Sequence, residues 1–399
     1  MSLDLAKIVS QVGGMVARLK AGSEDRQKRL QYALDILHSQ SADLPDLRRK
    51  IAASKTTWLV AGVVDGLDQH YEAPATPQEF TVIATDGSHI DVDRHRSARC
   101  YLINIGAVTL HYGAHPGATL DSFPSLYFAD EDLVITPAGA KGREQLIEGA
   151  LLGIKRSVDE CHQLAQLAAE LPPASSSLAL LDGSLILWGL EAYPEFVTEA
   201  LLDGGLLRDL EAIRQLNNDK RLAPASYISF PRSTDVVNAL RVAICPHDPP
   251  DCDRYCSASE KRDCDAVAGI QDRELFSNLL SPGERSAIFT SQSSIVEKCY
   301  GVHRVYFFYL RVNSEIARVE IPGWVALDES RLSLVHALVL DQCRRGQGYP
   351  VALSEAHEKA VVTAADRENF WQLVESSLVR ENMPSLSSAK SQSKRTRWI

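Results

Sequence analysis

The 399-residue sequence predicts an α/β fold built on a mixed sheet flanked by helices. Two apolar runs, TVIATDGSHI (81–90) and LALLDGSLILW (178–188), each break at the same Asp-Gly-Ser tripeptide. Between them lie two more strand-like segments, ARCYLINIGAVTLHYG (98–113) and PSLYFADEDLVIT (124–136), on short connections that suit antiparallel pairing. A long helical pattern then leads into the second Asp-Gly-Ser strand, and strands alternate with helices beyond it.

The elements follow in order. Residues 1–75 read as an N-terminal helical region with charged faces (SEDRQKRLQYALDIL, DLPDLRRKIAASK), and HYEAPATPQEF as a linker. The helix expected over about 140–170 rests on Ile147, Leu151, Ile154, Val158, Cys161, Ala165 and Ala168. Their alternating steps of four and three give one buried stripe. LPPASSS stops it. Downstream we expect a helix near 193–217, strand SYISFP, helix STDVVNALRVAI and a cysteine-rich insert at 245–264. Strands VHRVYFFYLRV and ARVEIPGWVAL come next, then helix ESRLSLVHALVLDQCRR, a strand at GYPV, a turn into SEAHEKAV and a last helix. The tail, 384–399, has four basic residues and no acidic ones, and reads as disordered. No repeat of solenoid length is present.

Composition narrows the class. Apolar residues make up 45% and charged residues 24%, enough for a sizeable core. No apolar run is long enough to span a bilayer and the N-terminus lacks a signal-peptide pattern, so the expected location is cytoplasmic. The formal charge, 42 − 52 = −10, argues against a surface coated for nucleic acid but leaves room for a local basic channel. Eight cysteines in such a chain point to thiols or metal ligands before disulfides.

A carboxylate at the end of a buried strand costs desolvation energy unless it is solvated or paired with a cation. On neighbouring strands Asp86 and Asp182 would repel and raise each other's pKa. A divalent ion such as Mn²⁺ or Mg²⁺ resolves that conflict. A third acid is expected on the intervening helix, with Glu144, Glu148, Asp159, Glu160 and Glu170 as candidates. A strand SLALLD covers roughly 20 Å, at about 3.3 Å per residue. Glu160 lies roughly 15 Å back along the returning helix, at about 1.5 Å per residue, whereas Glu148 overshoots at roughly 33 Å. Glu160 is the choice, with Glu148 in reserve.

Strand-Asp, hairpins, helix-Glu, strand-Asp is the order of a ribonuclease H-like metal nuclease. TDGSHI, RSVDE, LLDGSL and GYPVALSEAH (348–357), in that sequence, resemble the NurA nuclease family, and YISFPRS (227–233) also looks like a family segment. The likeness covers roughly 78–380, which would be the nuclease domain, with the N-terminal helices, the cysteine insert and the basic tail outside the match. It implies Asp86, Glu160 and Asp182 as metal-binding carboxylates, and Tyr349 and His357, eight residues apart, as the remaining active-site pair. His357 would ligate metal or supply a proton. It further implies a homodimeric DNA nuclease in end processing for repair, with single-strand endonuclease and 5′→3′ exonuclease activity, working with a HerA-type hexameric ATPase. A catalytically silent scaffold for that ATPase and an RNA-directed enzyme are the competing readings.

Two further clusters invite a function. His89, Asp91, Asp93 and His95 in SHIDVDRH read as a polar hairpin near the DNA path, with Arg94, Arg96 and Arg99 as phosphate contacts. Cys245, Cys252, Cys256 and Cys264, spaced C-x6-C-x3-C-x7-C, could close a zinc site or hold an iron–sulfur cluster.

Overall fold

The computed structural model describes residues 4–41, 43–93, 95–96, 98–137, 139, 143–173, 175–218, 220–257 and 262–383. Arg94 and the basic tail lie outside these. The chain divides into two compact units, one of residues 1–73, 229–297 and 306–319, the other of 74–228, 298–305 and 320–399. The division falls inside the expected linker. The N-terminal helices are not a region by themselves, however: they share a core with the cysteine insert's unit. Leu30, Leu37, Leu47 and Ile51 pack with Val236, Leu240, Phe276, Phe289, Phe307 and Tyr309. An amphipathic helix needs an apolar partner surface, and here that surface comes from chain 180 residues and more downstream. No helix among the described residues is long and apolar enough to cross a membrane.

The second unit carries both Asp-Gly-Ser motifs. Its main strands are β1 (Phe80–Ile90), β2 (Tyr101–Tyr112), β3 (Gly117–Tyr127), β4 (Ser176–Asp182) and β5 (Arg221–Ile228). They lie in the order β5-β4-β1-β2-β3. β2 runs antiparallel to β1 and to β3, whereas β4 runs parallel to β1 and to β5. β1 is central and buried along nearly all its length, hence its unbroken apolar run. β3 is the outer strand, largely exposed and carrying Pro124, a residue that cannot donate to a ladder. It begins at Gly117, earlier than the apolar run PSLYF suggested, because an outer strand needs no apolar face.

Helix α1 (Ala150–Glu170) buries Leu151, Val158, Cys161, Ala165 and Ala168 of the expected stripe and leaves Ile154 half-buried, but it starts ten residues later than the pattern suggested, so that Ile147 precedes it. Helices α2 (Glu329–Arg345), α3 (Val351–Ala360) and α4 (Ala364–Arg380) follow downstream in the same unit. Strand alternation fixes the layers. Asp86 pairs with Gly106, and Gly87 with Ile105. A β-carbon on Gly106 would lie 2.1 Å from the Ala356 carbonyl of α3, and one on Gly87 would lie 2.6 Å from the Glu160 carboxylate of α1. Successive residues face opposite sides, so α1 and α3 cover opposite faces of the sheet.

GYPV is not a strand. Gly348 takes φ +122°, and Pro350, with φ −58°, stands immediately before α3. Proline's fixed φ suits a helix start, and the turn expected before SEAHEKAV gives way to a helix that already runs from Val351.

Candidate active site

Why the apolar runs meet an aspartate follows from where pairing stops. The parallel β1–β4 ladder ends at Thr85 opposite Leu181. β4 terminates at Asp182, while β1 continues to Ile90 against β2 alone. Asp86 is therefore within its strand rather than at its end. It sits at the first position where the neighbouring strand no longer covers it. In the shared register Asp182 stands beside Asp86, at the mouth of the sheet.

Each following glycine has its own reason. Gly87 has no side chain to keep α1 away, so the Glu160 carboxylate and the Arg156 stem lie directly over it. Gly183 takes φ +82°, the left-handed region that lets the chain turn sharply out of β4. The Ser184 hydroxyl then donates to Glu320 at 2.8 Å, and the Leu185 amide donates to the same carboxylate at 3.0 Å.

Glu160 is 4% exposed, and the Thr85 hydroxyl fixes its turn of helix by donating to the Glu160 carbonyl at 2.9 Å. Burial pushes the Glu160 carboxyl up to about 8 against the pull of Arg156, with Asp86 and Asp182 raising it further. Arg156 lies 3.2 Å from Glu160 Oε1, but the two are misaligned, and neither Arg156 Nε nor Glu160 Oε1 has a hydrogen-bond partner. Arg156 Nη1 donates instead to the Gly87 carbonyl at 2.7 Å. Asp182 is raised chiefly by desolvation of its inner edge, opposed by the Tyr349 hydroxyl and reinforced by Asp86. Tyr349 donates to Asp182 Oδ1 at 2.9 Å, its ring set edge-on to Tyr227 at 5.5 Å. His357 Nδ1 lies 2.7 Å from Asp86 Oδ2, and the Gly87 amide donates to Asp86 Oδ1 at 2.7 Å.

The structure thus brings Asp86, Glu160, Asp182, Tyr349 and His357 to one place. Glu148, the reserve, is exposed and precedes α1. The three carboxylates and His357 line a cavity of about 620 Å³. Arg156 and Trp188 also line the cavity, and neither was among the site residues expected from the sequence. The signal was available: Trp188 is the large aromatic that closes the second Asp-Gly-Ser run.

Among the described residues, no three His, Cys, Asp or Glu side chains are already converged on a cation position. In the carboxylate site the reason is visible, since Tyr349, His357 and the Gly87 amide occupy the aspartate oxygens. The donor set nevertheless fits a hard divalent ion. It offers three carboxylates and an imidazole, with one buried carboxylate oxygen left without a donor.

The other clusters do not assemble as expected. Arg96, expected to contact phosphate, has a side chain 7% exposed and paired with Asp93, Glu368 and Glu375. Its guanidinium lies over Trp371, 5.3 Å from the ring centre. It is a structural cation; Arg99 is exposed. Asp91 and Asp93 cap backbone amides, Asp91 those of Val92 and Gly149 and Asp93 that of His95. The four insert cysteines are free thiols. Cys252 and Cys256 bracket one helical turn, but Cys264 is engaged by Arg241 at 3.7 Å. Burial raises the Cys256 thiol and its neighbours Cys252, Cys264 and Cys245 raise it further, so the four thiols lie near one another.

The NurA domain, as a protein-family model, matches residues 80–362. No curated protein sequence matches the chain. Among solved structures it is similar to Aquifex aeolicus Argonaute, at 10% identity and a TM-score of 0.27, over 72% of this chain and 29% of that one. It is also similar to Aa-Ago crystallised with externally bound siRNA, at 11% identity and a TM-score of 0.24, over 74% and 28%. The chain spans less than a third of those Argonaute chains, and likeness at that level carries no inference. The family match runs from the first residue of β1 to two residues past α3 and takes in every residue of the carboxylate site, and the chain belongs to the NurA family of nucleases.

Proposed function

We propose that this protein is a metal-dependent deoxyribonuclease, cutting single strands internally and degrading strands from the 5′ end. The observation that carries the reading is the meeting of Asp86, Asp182 and the buried, donorless Glu160 oxygen at one cavity. The strand order β5-β4-β1-β2-β3, with β2 antiparallel and β4 parallel to β1, supports a ribonuclease H-like core. Manganese or magnesium held by the three carboxylates and His357 would supply the charge that activates water and neutralises phosphate oxygens.

The chain's own groups have separate tasks. Tyr349 orients the Asp182 carboxylate. His357 engages Asp86 through Nδ1, which leaves Nε2 as the ring nitrogen for a metal or a leaving oxygen. Arg156 offers a guanidinium at the cavity wall for a phosphate. A second copy of the chain and a HerA-type ATPase are the partners that the family resemblance implies, with repair of DNA ends as the setting.

The test is a panel of single- and double-stranded DNA, RNA and hybrid with Mn²⁺, Mg²⁺ or EDTA. Cleavage of DNA that EDTA abolishes is the expected result. Cleavage of RNA alone moves the protein to the RNA-directed class, and none with any ion makes it a scaffold. Size-exclusion chromatography with and without the ATPase reads the partners.

A further inference from the structure

The cavity is lined by two chemically different kinds of group. The carboxylates, His357 and Arg156 suit a phosphate, whereas Ile154, Leu185 and Trp188 suit a flat apolar ring. Trp188 is 49% exposed, unlike the two leucines and the isoleucine before it in LILW, which are buried. An indole left open in a cavity needs a reason, because stacking it away would gain burial energy.

The segment that holds it is pinned from several sides. Trp188 Nε1 donates to the Ser184 hydroxyl oxygen at 3.2 Å. The Tyr300 hydroxyl takes the Leu187 amide at 3.0 Å and donates to the Leu185 carbonyl at 3.0 Å. Gly189 is packed so closely that a β-carbon there would lie 2.9 Å from Ile154. The ring is held by its edge and its backbone, and little side-chain freedom remains to be lost on binding.

We propose that Trp188 is the base-stacking platform of the active site, receiving the unpaired nucleobase adjacent to the phosphate held at the carboxylates. This rests on the nuclease reading and adds to it a base subsite and the residue that forms it. A cavity of about 620 Å³ is on the scale of a nucleotide, not of a duplex. A base in a duplex has both faces covered by its neighbours, so the indole can take only an unpaired or extruded base. Stacking is indifferent to base identity, because every base offers a π face.

The experiment walks a single abasic position along a short single-stranded oligonucleotide and compares wild type, Trp188→Ala and Trp188→Phe. In single-turnover cleavage, Trp188→Ala should weaken apparent affinity about 5- to 100-fold with a small change in the maximal rate. Trp188→Phe should recover most of it. Wild type should show a penalty of similar size at one abasic position, and Trp188→Ala should show none there. No abasic penalty in wild type, or a penalty that persists undiminished in Trp188→Ala, overturns the proposal. The same comparison is made by binding alone on Asp86→Asn protein with and without Trp188→Ala, where no cleavage is needed. Failure of the wild type to cut any substrate would count against the nuclease reading. The binding arm would still decide the stacking, and absence of an abasic effect, or of binding, would sink it.

Discussion

A β-carbon placed on Gly87 would come within 2.6 Å of the Glu160 carboxylate, so the first Asp-Gly-Ser glycine sets how closely α1 approaches β1. The atoms it would meet are the ends of the Glu160 and Ile105 side chains and the Arg156 stem rather than backbone. Gly87→Ala should therefore displace Glu160 more than it disturbs the fold. We expect a stability loss of about 1–2 kcal/mol by denaturant titration, with a much larger loss of turnover. Unchanged turnover would show that Glu160 need not lie over β1.

Asp86→Asn, Asp182→Asn and Glu160→Gln should each bring cleavage to background while circular dichroism and oligomeric state stay unchanged. Glu148→Gln should be silent, because that side chain is exposed and lies outside α1. Near wild-type Mn²⁺-dependent cleavage by any of the first three would remove that residue from the site.

Glu160 also gives a pH signature without any substrate. Its folded carboxyl is raised from 4.5 to about 8, so the folded state holds a proton that the unfolded state releases. Its contribution to stability is full below about 4.5 and is lost as pH rises through about 8. Asp182 is raised too and acts with the same sign. Chelator-treated protein should lose stability over this window, by on the order of a few kcal/mol from Glu160. Glu160→Gln should flatten the loss, and added Mn²⁺ should stabilise most at the alkaline end. Thermal denaturation from pH 5 to 9 measures all three, and a wild-type slope no steeper than the mutant's would contradict the buried, protonated Glu160.

His357→Ala should lower the single-turnover rate by about 10²- to 10⁴-fold with little loss of DNA affinity, as expected for a group that acts in the transition state. Tyr349→Phe loses only the hydroxyl that holds Asp182 and keeps the ring against Tyr227, so about a 10-fold effect is expected. The reverse ranking would make Tyr349 the chemical group and His357 its support.

Arg96→Ala should cost about 1–3 kcal/mol of stability, because it strips a buried cation from three carboxylates and from Trp371. Oligonucleotide affinity of the folded fraction should not change. A loss of affinity at constant stability would return Arg96 to the DNA path.

How far the sequence reached depended on whether the signal was local. Asp86 and Asp182 announced themselves because an acid interrupts an apolar run twice in the same way. Glu160 could be chosen over Glu148 because strand and helix rise are fixed lengths. Arg96 misled because a basic residue in a polar stretch looks the same whether it faces solvent or is held by Asp93 and two acids brought in by α4. The N-terminal helices misled for a related reason: their apolar stripe shows that a partner exists but not which distant segment supplies it. GYPV misled because proline and glycine mark a break in the chain without saying whether a strand or a helix borders it.

The absence of a side chain at Gly106 lets α3 rest on the sheet backbone itself, at the very position that pairs with Asp86. The Asn104 amide donates to the Lys359 and Ala360 carbonyls at 3.1 and 2.9 Å, and the Ser88 hydroxyl to that of Ala360 at 2.5 Å, riveting the helix end to β1 and β2. His357 and Asp86 therefore move as one piece. The backbone that carries the imidazole is thereby fixed to the strand that carries the carboxylate. On the nuclease reading proposed above, control over cutting falls to delivery of the strand and the ion to a standing blade, a task for whatever feeds the cavity.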